Sequence, residues 1–177
     1  MRKFKVIIII LLMFFLIYFL QSNFFSWFNI GGIMPNLFIF LSLFIGLFVG
    51  NKMGGIFGII FGLILDFTTG NSIGFTSVFL GVIGLLGEYF DKNFSKDSRV
   101  TIILMLVGST ILYEVATYLV KIFVSGAEPE VLTFILTLFV EIIFNTLLII
   151  IFYPLIRKLG YYMEDSFKGK KILTRYF

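Results

Sequence analysis

Few residues in this chain could do acid–base chemistry, and two of them sit in unusual places. Glu114 and Glu141 each lie about ten residues into long apolar runs, Val100–Val124 and Val131–Tyr153. At a rise of 1.5 Å per residue, that is roughly 15 Å from the nearer end. Asn145 follows Glu141 by one helical turn on the same face, and Lys121 follows Glu114 by two turns. An ionised acid at such depth is costly, so it faces protein or water, or carries a proton. Three uses are compatible with the pattern: a hydrogen-bonded pair tying two helices together, a contact with a partner's polar residue, or a proton or ion path. A path would have only Thr117, Thr137 and Asn145 as polar lining. Glu114 and Glu141 would also be the only acid–base pair for catalysis, with no base-activated nucleophile beside them. The chain has no histidine and no cysteine. That removes the commonest general base and zinc ligand and any disulfide or thiolate site. The residues predict no catalytic centre, no cofactor and no metal.

A third acid stands alone in the stretch "GLILDFTTGNSIG", Gly62 to Gly74. Asp66 ends an apolar run, and no basic residue follows until Lys92. One reading is structural: a tight turn at Gly70 and Gly74 lets the carboxylate reach the exposed N–H groups that open the next helix, where it also suits the dipole. The other is a polar anchor for a partner or ligand.

Glycines surround it in order. Eleven of the 17 lie between Gly46 and Gly87. Gly46, Gly50, Gly54, Gly58 and Gly62 recur every four residues; Gly81, Gly84 and Gly87 recur every three. In lipid, small residues at these spacings let helix backbones approach closely. The stripe predicts either internal bundle packing or a groove for another protein's helix.

These residues need an apolar framework, and the composition supplies one. The 177 residues are 59% hydrophobic and 14% charged, with mean hydropathy +1.07; soluble domains average about 25% charged. The chain reads as one all-α integral membrane domain with spans near 6–20, 36–50, 53–69, 75–90, 100–124 and 131–153, and a basic cytoplasmic tail over 154–177. The basic start and first apolar run resemble a secretion signal, but no small-residue cleavage pattern follows, so the run reads as a retained span, with a cleaved signal as the alternative. The short runs between Leu37 and Leu65 could also form a re-entrant hairpin or one helix through Asn51 and Lys52. Charge arbitrates, because basic residues favour the cytoplasmic side. Six spans with both ends inside put thirteen of the 14 Lys and Arg residues there. Lys121 is the exception and can snorkel outward. Phe24, Phe25, Trp27 and Phe28 read as an interfacial aromatic belt, and Pro35, Pro129 and Pro154 fall at span ends, where they cost least.

The segments "MPNLFIFLSLFIGLFVG" and "GIIFGLILDFTTGNSIGFTSVFLGVIG" resemble the MreD family of rod-shape-determining membrane proteins. Gly58, Gly62, Asp66, Gly70 and Gly74 match its glycine–aspartate pattern in order, and "EPEV" before a last long span and a basic tail is similar too. The resemblance implies a fold like the substrate-binding components of vitamin transporters. It implies a non-enzymatic scaffold in the bacterial cytoplasmic membrane that partners an MreC-type single-span protein in the wall-elongation machinery guided by MreB filaments. The basic tail would meet anionic lipid. A small-molecule transporter, or its substrate-binding membrane component, is the alternative function, because short glycine-interrupted spans are a pointer to a binding site; an intramembrane enzyme ranks last.

Overall fold

A computed structural model describes residues 2–50, 52–70 and 74–168. The expectations resting on Asn51, Asn71, Ser72, Lys170, Lys171 and Arg175 lie outside the described residues. The protein is all-α: α1 Arg2–Phe19, a π-helical turn Leu20–Phe24, a short α2 Phe25–Trp27, α3 Leu37–Phe48, α4 Met53–Thr69, α5 Phe75–Asn93, α6 Arg99–Ser125 and α7 Val131–Phe167. Two of these differ from the apolar runs. The helix of α1 starts four residues before the run at Val6. The last helix passes through Pro154, predicted to lie at a span end, and continues to Phe167. The buried stripe Ile149, Tyr153, Ile156, Gly160 and Met163 runs unbroken across that proline, so packing sustains the helix where hydropathy falls away.

The short second run is a distinct helix. α3 has 12 residues, ten of them buried. Its length is about 18 Å, less than the roughly 30 Å of a hydrocarbon core. Such a helix, apolar on all sides, belongs inside a protein. Here α4 and α5 pack closely together and α3 lies against α5. α1 adds a single buried stripe, Val6, Ile10, Phe14 and Ile17, with Phe14 stacked on Phe61 at 4.2 Å. α6 and α7 complete the bundle.

Lys3 lies over the Phe167 ring, and Lys96 bonds the carbonyl near the end of α3. The starts of α1, α4 and α6 therefore share one end of the bundle with the ends of α3, α5 and α7. We call it the terminal end.

Candidate functional site

Close glycine contacts hold the centre together. A Cβ added at Gly54 would stand 2.6 Å from Gly46 Cα, and one at Gly87 would stand 3.0 Å from the same atom. At Gly58 it would meet the Leu80 carbonyl carbon at 2.6 Å, at Gly62 the Ser77 nitrogen at 2.6 Å, and at Gly84 the Gly55 nitrogen at 2.7 Å. These are backbone atoms that have nowhere to go. Gly81 faces the Ile59 side chain instead, and Gly50 faces Lys168. Gly46, Gly54, Gly58, Gly62, Gly84 and Gly87 are thus packed against backbone of the chain's own helices α3, α4 and α5. Gly70 and Gly74 differ: the space around them is open, but both have positive φ, +67° and +104°, which the turn between α4 and α5 requires.

Asp66 sits across that turn and is 1% exposed. Its Oδ2 accepts from the Gly74 N–H at 2.8 Å and the Ser77 N–H at 3.3 Å. Gly74 caps α5 and has no side chain of its own to satisfy these donors, so the aspartate of one helix caps the next. Ser77 adds a second tie, donating to the Ile59 carbonyl of α4 at 2.9 Å.

The other acids gather around Asn145. Its Oδ1 accepts from the Asn36 N–H at 3.0 Å, at the start of α3; its Nδ2 faces Thr110 of α6 at 3.4 Å and Glu141 at 3.5 Å. Gln21, in the π-helical turn, accepts from the Leu37 N–H at 3.3 Å. Asn145 lies 14 residues along α7, about 21 Å from its start, so the short α3 begins deep within the bundle. Irregular backbone at such depth must find partners in the protein, and Asn145 and Gln21 provide them. Glu141 is 5% exposed, with Glu114 of α6 as its neighbour. Glu114 also lines a cleft of about 400 Å³ between α6 and α7, as do the stacked pair Tyr118 and Phe134. Lys121 lines the same cleft beside Glu128 and Glu130.

The terminal end carries an ion cluster that the sequence reading did not assemble. Lys96 is 7% exposed. It pairs with Asp91 and with Glu164 at 2.8 Å, and donates to the Leu47 carbonyl at 3.2 Å. Lys168 reaches Asp91 and the same carbonyl. Two cations thus close the last turn of α3, where the dipole favours them. Burial pushes the Asp91 carboxyl up, but hydrogen bonds from Lys168 and Lys96 outweigh it and hold it below the usual carboxylate range. Lys96 and Lys168 are among the thirteen basic residues that the charge pattern assigns to the inner side, and both are paired. The i,i+4 spacing of Glu164 and Lys168 was a visible signal, whereas the link from Asp91 and Lys96 to α7 was not. Next to the cluster, Tyr153 donates to the Asp97 carbonyl at 3.2 Å and Tyr161 donates to the Asp97 carboxylate. Burial first, then Asp97, push the Tyr161 hydroxyl up to about 12.

A glycine-packed bundle with polar caps at buried helix ends, and three helices long and apolar enough to cross a membrane, defines a multi-pass membrane protein. The profile of rod shape-determining protein MreD matches residues 2–163. The chain belongs to the MreD family and is a rod-shape-determining membrane protein. No curated protein and no solved structure shows significant similarity to it.

Proposed function

We propose that this protein is a non-catalytic scaffold of the wall-elongation complex in the bacterial cytoplasmic membrane, with six spans and both termini cytoplasmic. The terminal end of the bundle, rich in Lys and Arg, is then the inner side. The scaffold holds the helix of an MreC-type single-span partner, and through it meets other wall-elongation proteins and MreB filaments. Basic residues of the inner segments meet anionic lipid.

The observation that carries this reading is how the polar groups are used. Asp66, Asn145, Gln21 and Lys96 each join one helix to the end of another. Such ties stiffen a bundle and hold its outer faces in fixed relation, which is what a docking platform needs. With most of the glycine stripe packed against the chain's own backbone, the partner helix needs another seat. An apolar groove of about 470 Å³ between α1, α3 and α7, lined by Met13, Leu16, Phe24, Leu148, Phe152 and Leu155 among others, has the chemistry for it.

The test is capture of a full-length MreC-type protein from co-expressing membranes. Leu16→Trp with Leu148→Trp fills the groove and is expected to abolish capture while the melting temperature holds. Removal of residues 170–177 is expected to leave capture intact. Undiminished capture by the groove variant overturns this docking mode. The cleft lined by Glu114 favours a second reading, a substrate-binding membrane component; a small molecule that stays bound through purification and is lost with Glu114→Gln would support it.

A further inference from the structure

The terminal end holds more positive charge than its ion pairs use. Glu88 pairs with Lys92, and Asp91 and Glu164 pair with Lys96 and Lys168. Among the described residues, Arg99, Arg157 and Lys158 form no ion pair. All three are exposed. Two of them are nonetheless held in place. The Arg99 guanidinium lies 4.8 Å from the Tyr153 ring centre, and that of Arg157 lies 5.7 Å from the Tyr161 ring centre. Tyr153, Arg157 and Tyr161 follow one another every four residues along a single face of α7. Both rings are fixed at their hydroxyls by Asp97. Each guanidinium thus stands beside a tyrosine ring, and neither arginine takes part in an ion pair among the described residues. Three cations share this surface with one carboxylate, Asp97, which is already occupied by Tyr161. The other nearby acid, Asp165, stands eight residues from Arg157, about 12 Å along the helix.

We propose that Arg99 and Arg157, with Lys158 beside them, form a binding site for the phosphate headgroup of an anionic lipid. Planar guanidinium matches phosphate oxygens in pairs, and stacking on tyrosine reduces the freedom lost on binding. The apolar neighbours decide between a lipid and a free phosphate. Exposed Ile150 stands seven residues before Arg157 on the same face of α7, outside the groove assigned to the partner helix, so an acyl chain has an apolar contact on the membrane side of the arginine. The site deepens the lipid contact proposed above and rests on this end of the bundle meeting the membrane surface. It assigns that contact to two positioned arginines of the bundle, not to the residues beyond Lys168.

Nanodiscs test it, with phosphatidylglycerol or phosphatidylcholine as the only lipid. The intact chain is expected to melt higher in phosphatidylglycerol and to retain that lipid through delipidation. Arg99→Gln with Arg157→Gln is expected to reduce retention roughly 10- to 30-fold, from the typical contribution of a basic residue near an anionic surface. Its melting point in phosphatidylcholine is expected to stay unchanged, which shows that the fold is intact. Neutralising Lys170, Lys171 and Arg175 is expected to leave retention within about threefold of the intact chain, a small effect on the same scale. Lysine at both arginine positions should recover only part of the loss. Full recovery by lysine would mean unstructured charge attraction and would overturn the site. So would stabilisation by inorganic phosphate alone in phosphatidylcholine discs. If phosphatidylglycerol stabilises the intact chain but the arginine variant matches it, this site fails while the broader lipid contact stands. If phosphatidylglycerol has no effect at all, both fail.

Discussion

The α3–α4–α5 unit and the α6–α7 pair solve the same problem in different ways. Apolar side chains give no net drive to helix association in lipid, so contact must come from close backbone approach or from polar ties. The first unit uses approach: Gly46, Gly54, Gly58, Gly62, Gly84 and Gly87 bring three backbones together without side chains between them. The second uses ties: Asn145 joins Thr110, Glu141 and the start of α3, and the helices then part around the cleft lined by Glu114. Gly108 of α6 shows the contrast on its own, because a Cβ there would meet nothing within 4 Å. One region is therefore rigid and intolerant of volume; the other has room.

Substitutions can break or sharpen this contrast, and the largest effect belongs to the glycines. Gly58→Leu is expected to cost more than the roughly 1–3 kcal/mol of ordinary overpacking, since the obstacle is backbone. Gly108→Ala is expected to be neutral or stabilising by up to about 1 kcal/mol, the helix preference of alanine. Thermal unfolding in one detergent checks both; equal melting points for the two variants would erase the distinction.

The next effect concerns the ion cluster that fastens α7 to the close-packed unit. Lys96→Met leaves Asp91 and Glu164 with only the more exposed Lys168 as their cation, and is expected to cost up to about 3 kcal/mol, the lower end for breaking a buried pair. Adding Glu164→Gln is expected to recover part of that loss. The cluster also makes stability depend on acid. Because the folded Asp91 carboxyl is held below its ordinary value, its contribution is present above about pH 4, the unfolded carboxylate range, and is lost as pH falls through the lower folded value. Melting curves from about pH 6 down to about pH 3, a window that spans the carboxylate range, should show that loss in the intact chain and less of it in Lys96→Met.

The smallest effect is expected in the cleft wall. The Tyr118 hydroxyl is buried without a hydrogen-bond partner, while its ring stacks on Phe134 at 4.2 Å. Tyr118→Phe keeps the ring and removes only the unpaired group, so stability should stay within about 0.5 kcal/mol or rise. A clear loss would mean that the hydroxyl has an important role in the open region.

Much of the helical plan was legible in the sequence, for physical reasons that act locally. Hydropathy marks apolar runs whatever they pack against, so helices were readable near 53–69 and 100–124, where α4 and α6 lie. Glycine spacing marks a flat helix face, and a lone Asp66 before Gly70 and Gly74 marks a helix end in need of an acceptor. The same signals mislead where packing takes over. Hydropathy ends the last run at Tyr153, yet the helix continues to Phe167 because Ile156, Gly160 and Met163 stay buried.

The sequence by itself determined an apolar all-α chain with ordered glycines and a scarcity of reactive groups. Side-chain chemistry and spacing are properties of the chain alone. Only the tertiary structure decided that Gly46, Gly54, Gly58, Gly62, Gly84 and Gly87 meet backbone across α3, α4 and α5. It also decided that Asn145 caps the start of a helix 109 residues earlier, and that Lys96 is a buried rivet joining Asp91 and Glu164. Each of these depends on which faces meet across long separations in sequence, and periodicity within one helix carries no information about the face it will meet.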